Sequence, residues 1–142
     1  MISVVIPVHN EERSVALLYD ELAAAFAGEG RVWEAVFVDD GSTDGTFGAL
    51  TRLHDAQENV RVVRLRRNFG KAAALDAGFG EAAGEIVVTI DGDLQDDPAE
   101  IPRLLAKLDA PTRVHLVIHA YETGLITPGP TSPSGRDEKA PQ

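Results

Sequence analysis

Four short runs rich in β-branched residues, at 2–8, 35–39, 60–65 and 86–91, alternate with helical patterns and leave few folds open to this chain. Each run is almost continuously apolar, the mark of a strand buried on both faces. Between the first two, Val15, Leu18, Tyr19, Leu22, Ala25 and Phe26 follow the i, i+3, i+4, i+7 rule, and Gly28 and Gly30 close the segment. A second helix is predicted after Ser42, Thr43 and Asp44, all good capping residues, with Phe47, Leu50 and Leu53 on one face. A third, alanine-rich helix over 71–83 is expected to stop at Gly84 as its C′ residue. A fourth starts near Asp96-Asp97-Pro98, where carboxylates suit the N-terminus and proline the first turn, and runs to about 108. The order β-α-β-α-β-α-β-α predicts a Rossmann-like α/β domain, a mostly parallel sheet with helices on both faces. Ligands of such sheets bind at the carboxyl ends of the strands, which directs attention to 7–12, 39–45, 66–71 and 91–97.

At 142 residues the chain has room for one domain, and 13 Lys+Arg against 23 Asp+Glu give a net charge of −10. A phosphate backbone or an anionic lipid surface is repelled over most of such a molecule, so nucleic acid is not an expected partner. The chain has no cysteine, which excludes disulfides, thiolate catalysis and zinc-thiolate sites, so any metal is held by oxygen or imidazole. There is no basic leader or small-residue cleavage site, and no apolar run near the roughly 18 residues of a spanning helix. The expected location is cytoplasmic, or peripheral at the inner face of the membrane. The expected organisation is a ligand-binding domain over 1–110, a segment over 111–126 able to add one strand at 114–118, and a disordered tail over 127–142. Proline, serine and glycine dominate that tail.

The sharpest local signal is the strand 86–90 emptying into Asp91-Gly92-Asp93-Leu94-Gln95-Asp96. Two carboxylates on a tight turn at the ligand-binding edge can approach one hard cation, Mg²⁺ or Mn²⁺, completed by water and substrate phosphate. The plainer reading is an acidic turn that caps the next helix. A second strand ends in Asp39-Asp40-Gly41-Ser42-Thr43-Asp44-Gly45, where a carboxylate can accept from a nucleobase N–H or from ribose hydroxyls. Asp44 reads as a simple cap, whereas adjacent Asp39 and Asp40 at a strand end do not. Taken alone, His9-Asn10-Glu11-Glu12 is a helix N-terminus. Arg64, Arg66, Arg67 and Lys71 form either a solvated basic turn or a group that meets a diphosphate.

Together these four segments, in this order, resemble the family-2 glycosyltransferases of GT-A fold, most of all the polyprenyl-phosphate sugar transferases of the dolichol-phosphate mannose synthase type. The resemblance rests on Val5-Ile6-Pro7-Val8-His9-Asn10-Glu11-Glu12, Val38-Asp39-Asp40-Gly41-Ser42-Thr43-Asp44-Gly45-Thr46, Asn68-Phe69-Gly70-Lys71 and Asp91-Gly92-Asp93-Leu94-Gln95-Asp96. It implies that Pro7, Asn10 and Glu11 meet the nucleotide and that Asp39 and Asp40 hold base and ribose. It also implies that Lys71 lies near the donor, and that Asp91 and Asp93 are the catalytic metal-binding pair with Gln95 as a further ligand. The reaction implied is metal-dependent, inverting transfer of a sugar from a UDP- or GDP-sugar to a dolichyl or undecaprenyl phosphate.

The match covers residues 1 to about 108, and no acceptor half follows it. The expectation is a truncated or frame-shifted product whose donor-binding half survives, with acceptor chemistry lost or supplied by another chain. Two further readings stand beside it. One is a catalytically dead module that captures a nucleotide sugar. The other is an aspartyl-phosphate phosphotransfer enzyme, which places its key carboxylate on the first strand, where this chain has Pro7-Val8-His9-Asn10. His115 and His119 read as ordinary histidines, and Trp33 and Phe26 as packing residues.

Overall fold

The structure is a computed structural model that describes residues 1–92 and 97–107 in full and the backbone of 114–118 and 125–126. Its elements are β1 (Ile2–Val8), α1 (Val15–Phe26), β2 (Trp33–Asp39), α2 (Thr46–Ala56), β3 (Val60–Arg64), α3 (Lys71–Glu81), β4 (Ile86–Thr89), α4 (Glu100–Leu105), β5 (Val114–Ile118) and β6 (Leu125–Ile126). They form one sheet in the order β3-β2-β1-β4-β5-β6. The first five strands are mutually parallel and β6 is antiparallel to β5. The mostly parallel sheet is therefore present, and 114–118 adds the strand expected of it. The tail expected over 127–142, and His119, lie outside the described residues.

Alternation of side chains along the central strands builds two cores. Val4, Ile6 and Val8 of β1, Phe37 of β2 and Val88 of β4 meet Leu18 and Leu22 of α1, Leu50 of α2 and Ile101 of α4 on one face. Val5, Val36, Val38 and Val87 point the other way, onto Ala74 of α3. Each fully buried aliphatic side chain removed from water contributes roughly 1.5–3 kcal/mol, so the three inner runs, in β1, β2 and β4, are predominantly apolar because both faces are covered. In contrast, β3 is an edge strand whose burial falls away toward exposed Arg64. The small residues of α3 let it lie close to the sheet, where a Cβ on Gly78 would stand 2.4 Å from Val5 Cγ1.

Two local readings change. Helix α3 ends at Glu81, and Gly84 is not its C′ residue. Gly84 is glycine because a Cβ there would lie 2.5 Å from the Met1 carbonyl oxygen and 2.9 Å from the Ser3 nitrogen. Strand β2 starts two residues earlier than its apolar run, because Glu34 is drawn into the sheet. Its carboxylate accepts from Ser3 Oγ and from Ala83 N at 2.9 Å, and Arg61 lies beside it. Trp33 stacks on Phe26 with ring centroids 4.7 Å apart, the packing role expected of both.

The connections run outward from β1 to β2 to β3, then return to β4 on the other side of β1. The carboxyl ends of β1 and β4 therefore flank the point where the winding reverses, the place where such sheets open a crevice. No helix among the described residues is long and apolar enough to cross a membrane.

Candidate active site

A cleft of about 330 Å³ opens at that switch point. Pro7 and Val8 at the end of β1 and His9 and Glu11 after it form one wall, Asp91 and Gly92 after β4 another, and Asp40, Asn68, Gly70 and Lys71 close the side toward β2 and β3. Four strand ends thus deliver side chains to a single rim.

The first two strand ends are stitched together by Asn10. It takes φ 55°, the sole positive value at a non-glycine residue among the described residues, in a region that asparagine tolerates better than most side chains. Its Oδ1 accepts from Thr43 N at 2.8 Å and Asp44 N at 3.3 Å, and its own N–H donates to Ser42 Oγ at 2.9 Å. Glu11 N donates to Thr46 Oγ1, and Glu12 Oε1 accepts from Gly45 N, both at 2.8 Å. The Asn10 carboxamide is thereby turned to the neighbouring loop, and Asn10 is not part of the cleft wall, whereas Pro7 and Glu11 are.

Asp39 and Asp40 do different work. Asp39 is fully buried at the end of β2, opposite Val8 in the register. Its Oδ1 accepts from Ser42 N at 3.0 Å, and its Oδ2 is buried with no hydrogen-bond partner among the described residues. A buried carboxylate oxygen left this way is costly and keeps the capacity to accept a further hydrogen bond; Asp39 itself is not part of the cleft wall. Asp40 is 5% exposed and clamps the third strand end: Phe69 N donates to Oδ1 at 2.8 Å and Gly70 N to Oδ2 at 3.0 Å. Its carbonyl oxygen takes His9 Nδ1 at 2.8 Å and Asn68 Nδ2 at 3.3 Å. The intervening turn is sealed by Gly41, at φ 67°, where a Cβ would sit 2.2 Å from the backbone of Arg67 and Asn68.

Asp44 is the simple cap its position suggested. Its Oδ1 accepts from Thr46 N at 2.9 Å and from Thr46 Oγ1, and the Thr46 hydroxyl bond holds the carboxyl below the usual carboxylate range. A carboxyl with a depressed folded-state pKa stabilises the fold above its unfolded value, about 3.9, and loses that contribution as pH falls through the lower folded value. Asp44→Asn is therefore expected to flatten the loss of stability below pH 4, checked by thermal melts between pH 6 and pH 2.5.

At the opposite wall, Asp91 forms an ion pair with Lys71 at the start of α3. Both side chains are partly exposed, so the pair is screened and adds little to stability. Gly92 follows because of crowding: a Cβ would meet Val8 Cγ1 at 2.4 Å and the Pro7 carbonyl oxygen at 3.0 Å, so the turn rests directly on β1. Asp93 and Gln95, expected to share a metal with Asp91, lie outside the described residues. Among the described residues no three His, Asp or Glu side chains converge as a metal cage. What the described part offers at the wall after β4 is the Asp91 carboxylate, already attracting a cationic group, which fits a hard ion completed by further oxygens. His9 and Asn68 were not singled out as site residues by the sequence, and their only signal was their place within the strand-end segments.

The family model described as Glycosyl transferase family 2 matches residues 3–136. The chain is 44% identical over 110 residues to dodecaprenyl-phosphate galacturonate synthase of Rhizobium johnstonii, covering 76% of this chain and 32% of that protein. It is 46% identical over 105 residues to undecaprenyl-phosphate 4-deoxy-4-formamido-L-arabinose transferase of Pectobacterium carotovorum, covering 73% and 32%. Among solved structures it resembles a mannosyltransferase of Pyrobaculum calidifontis in complex with GDP-Man and Mn²⁺. That likeness has a TM-score of 0.66 at 28% identity and covers 78% of this chain and 32% of that one. The chain thus spans about one third of the length of the curated relatives it matches.

Proposed function

Since the chain belongs to glycosyl transferase family 2, we propose that it forms the donor-binding half of an enzyme that transfers a sugar from a nucleoside-diphosphate sugar to a polyprenyl phosphate. The observation that carries this reading is the single cleft at the switch point, where Asp40, Lys71 and Asp91 from three crossover units face one small volume. Buried Asp39, next to cleft-lining Asp40 in the chain, keeps an acceptor oxygen with no hydrogen-bond partner among the described residues. The similarity to polyprenyl-phosphate transferases supports the acceptor class, and the likeness to a GDP-Man and Mn²⁺ complex supports a nucleotide-sugar donor and a divalent ion.

In this reading Asp39 and Asp40 face the base and ribose, Asp40 while also holding the third loop through Phe69 N and Gly70 N, and Pro7 and Glu11 shape the floor beneath them, with Asn10 tying that segment to the second loop. Asp91, with Asp93 and Gln95, would hold Mn²⁺ or Mg²⁺. Bound there, the ion supplies Lewis-acid stabilisation of the charge that builds on the departing diphosphate. Lys71 exchanges its bond to Asp91 for the diphosphate, which brings a second positive charge to the leaving group. The acceptor phosphate is anionic at neutral pH, so attack on the anomeric carbon with inversion needs less help from a general base than a hydroxyl would.

Calorimetric titration with UDP- and GDP-sugars, with and without Mn²⁺, tests the reading. Metal-dependent binding is expected, with the metal-dependent part lost in Asp91→Asn. Binding indifferent to both the ion and Asp91 would overturn it. Binding without transfer to an added polyprenyl phosphate would assign this chain the donor-capture step alone.

A further inference from the structure

The cleft leaves one charged feature unexplained: a cationic, aromatic-tipped loop on a molecule of net charge −10. Arg64, Arg66, Arg67 and Phe69 are all exposed, Phe69 at 44%. None of the three arginines has a carboxylate partner among the described residues, whereas Arg61, three residues before Arg64 on β3, pairs with Glu34 and Glu81. No acidic residue interrupts 64–71. The backbone carrying these side chains is held in place by the two amide bonds to Asp40 and by the seating of Gly41 on Arg67 and Asn68. Arg67 lies over the Phe69 ring at 4.5 Å, so charge and apolar surface are presented as one unit at the carboxyl edge of the sheet.

We propose that the loop 65–70 is a docking surface for an anionic lipid headgroup layer, with Arg66 and Arg67 meeting the phosphates and Phe69 entering the headgroup boundary. Charge complementarity argues for it. An acidic chain is repelled by an anionic surface everywhere except where unpaired cations gather, so the field orients this edge toward the layer. An exposed aromatic ring at the tip suits an interface that is wet on one side and apolar on the other. A long polyanion such as RNA would extend past this short loop onto the acidic remainder, so lipid is the better occupant. The inference rests on the proposed function in one respect: a lipid-borne acceptor would arrive at the side of the cleft where Asn68, Gly70 and Lys71 stand.

The test is co-sedimentation of the chain with vesicles of phosphatidylcholine containing 30% phosphatidylglycerol, against phosphatidylcholine alone, with no nucleotide or polyprenyl phosphate present. Wild type is expected to bind only the anionic vesicles, and to release in 0.5 M salt. Arg66→Gln with Arg67→Gln is expected to weaken binding by about fivefold per arginine, and Phe69→Ser by severalfold. Arg52→Glu at an exposed position of α2, an equal charge change elsewhere, is expected to leave it nearly intact. Thermal melts confirm that each variant is folded. Equal binding to neutral vesicles, or no effect of the arginine pair, would overturn the proposal. So would equal affinity for a mixed-sequence RNA lost in the same variants, or loss of nucleotide binding in the arginine pair with vesicle binding unchanged. Failure of the proposed function is read separately, in the vesicle-free titrations.

Discussion

Gly41→Ala is expected to be the most damaging single-methyl change in the site, lowering the unfolding free energy by about 3 kcal/mol and the melting temperature by on the order of 10 °C. Two costs coincide at this position. An alanine at φ 67° pays the left-handed penalty of about 1–2 kcal/mol. Its methyl would also lie 2.2 Å from the carbonyl carbon of Arg67 and the nitrogen of Asn68, and backbone cannot step aside as a side-chain tip can. Relief requires the 66–70 loop to lift, which strains the bonds from Phe69 N and Gly70 N to Asp40. Two other glycines calibrate the claim. Gly70 has φ 104° with open space around its missing Cβ, so Gly70→Ala should cost the backbone strain alone, about 1–2 kcal/mol. Gly28 has neither feature and should change stability by less than about 0.5 kcal/mol. Thermal and urea melts of the three variants should fall in that order. Equal effects at Gly41 and Gly70 would show that the third loop is not seated on the second.

The periodicity of the chain carries the architecture because strands covered on both faces have to be apolar throughout. Thus β1 is found at the positions its run marked, and α1 spans the stripe from Val15 to Phe26. What escapes the sequence depends on partners distant along the chain. Glu34 looks like the end of a loop until Ser3 and Ala83 are seen to satisfy its carboxylate, 31 and 49 positions away. Gly84 resembles a helix stop because its true neighbours, Met1 and Ser3, are more than eighty positions back in the chain. The site divides in the same way. Acidic residues at the strand ends are visible as composition, but which of them faces a cleft is decided by contacts between loops. Asn10 faces Thr43 and Asp44, Asp39 keeps an idle oxygen, and Asp40 spends both of its oxygens on the third loop.

That division of labour makes Asp40 the second position where a large effect is expected, and it separates a direct role at the ligand from a role through the loop. Asp40→Ala removes the acceptor of two backbone amides, and an unpaired buried amide costs about 1–3 kcal/mol each, so a loss of about 2–4 kcal/mol is expected after partial opening to water. Asp40→Asn is not a gentle control. A carboxylate accepts on both oxygens, whereas a carboxamide accepts on one side and turns an N–H toward Phe69 N or Gly70 N on the other. It is expected to cost at least half as much as alanine. Hydrogen exchange at the amides of Phe69 and Gly70 should accelerate in both variants, and nucleotide-sugar affinity should fall with it, because Gly70 and Lys71 enter the cleft from that loop. If affinity is lost while melting temperature and amide protection stay at wild-type values, Asp40 acts on the ligand directly and its grip on the third loop is incidental.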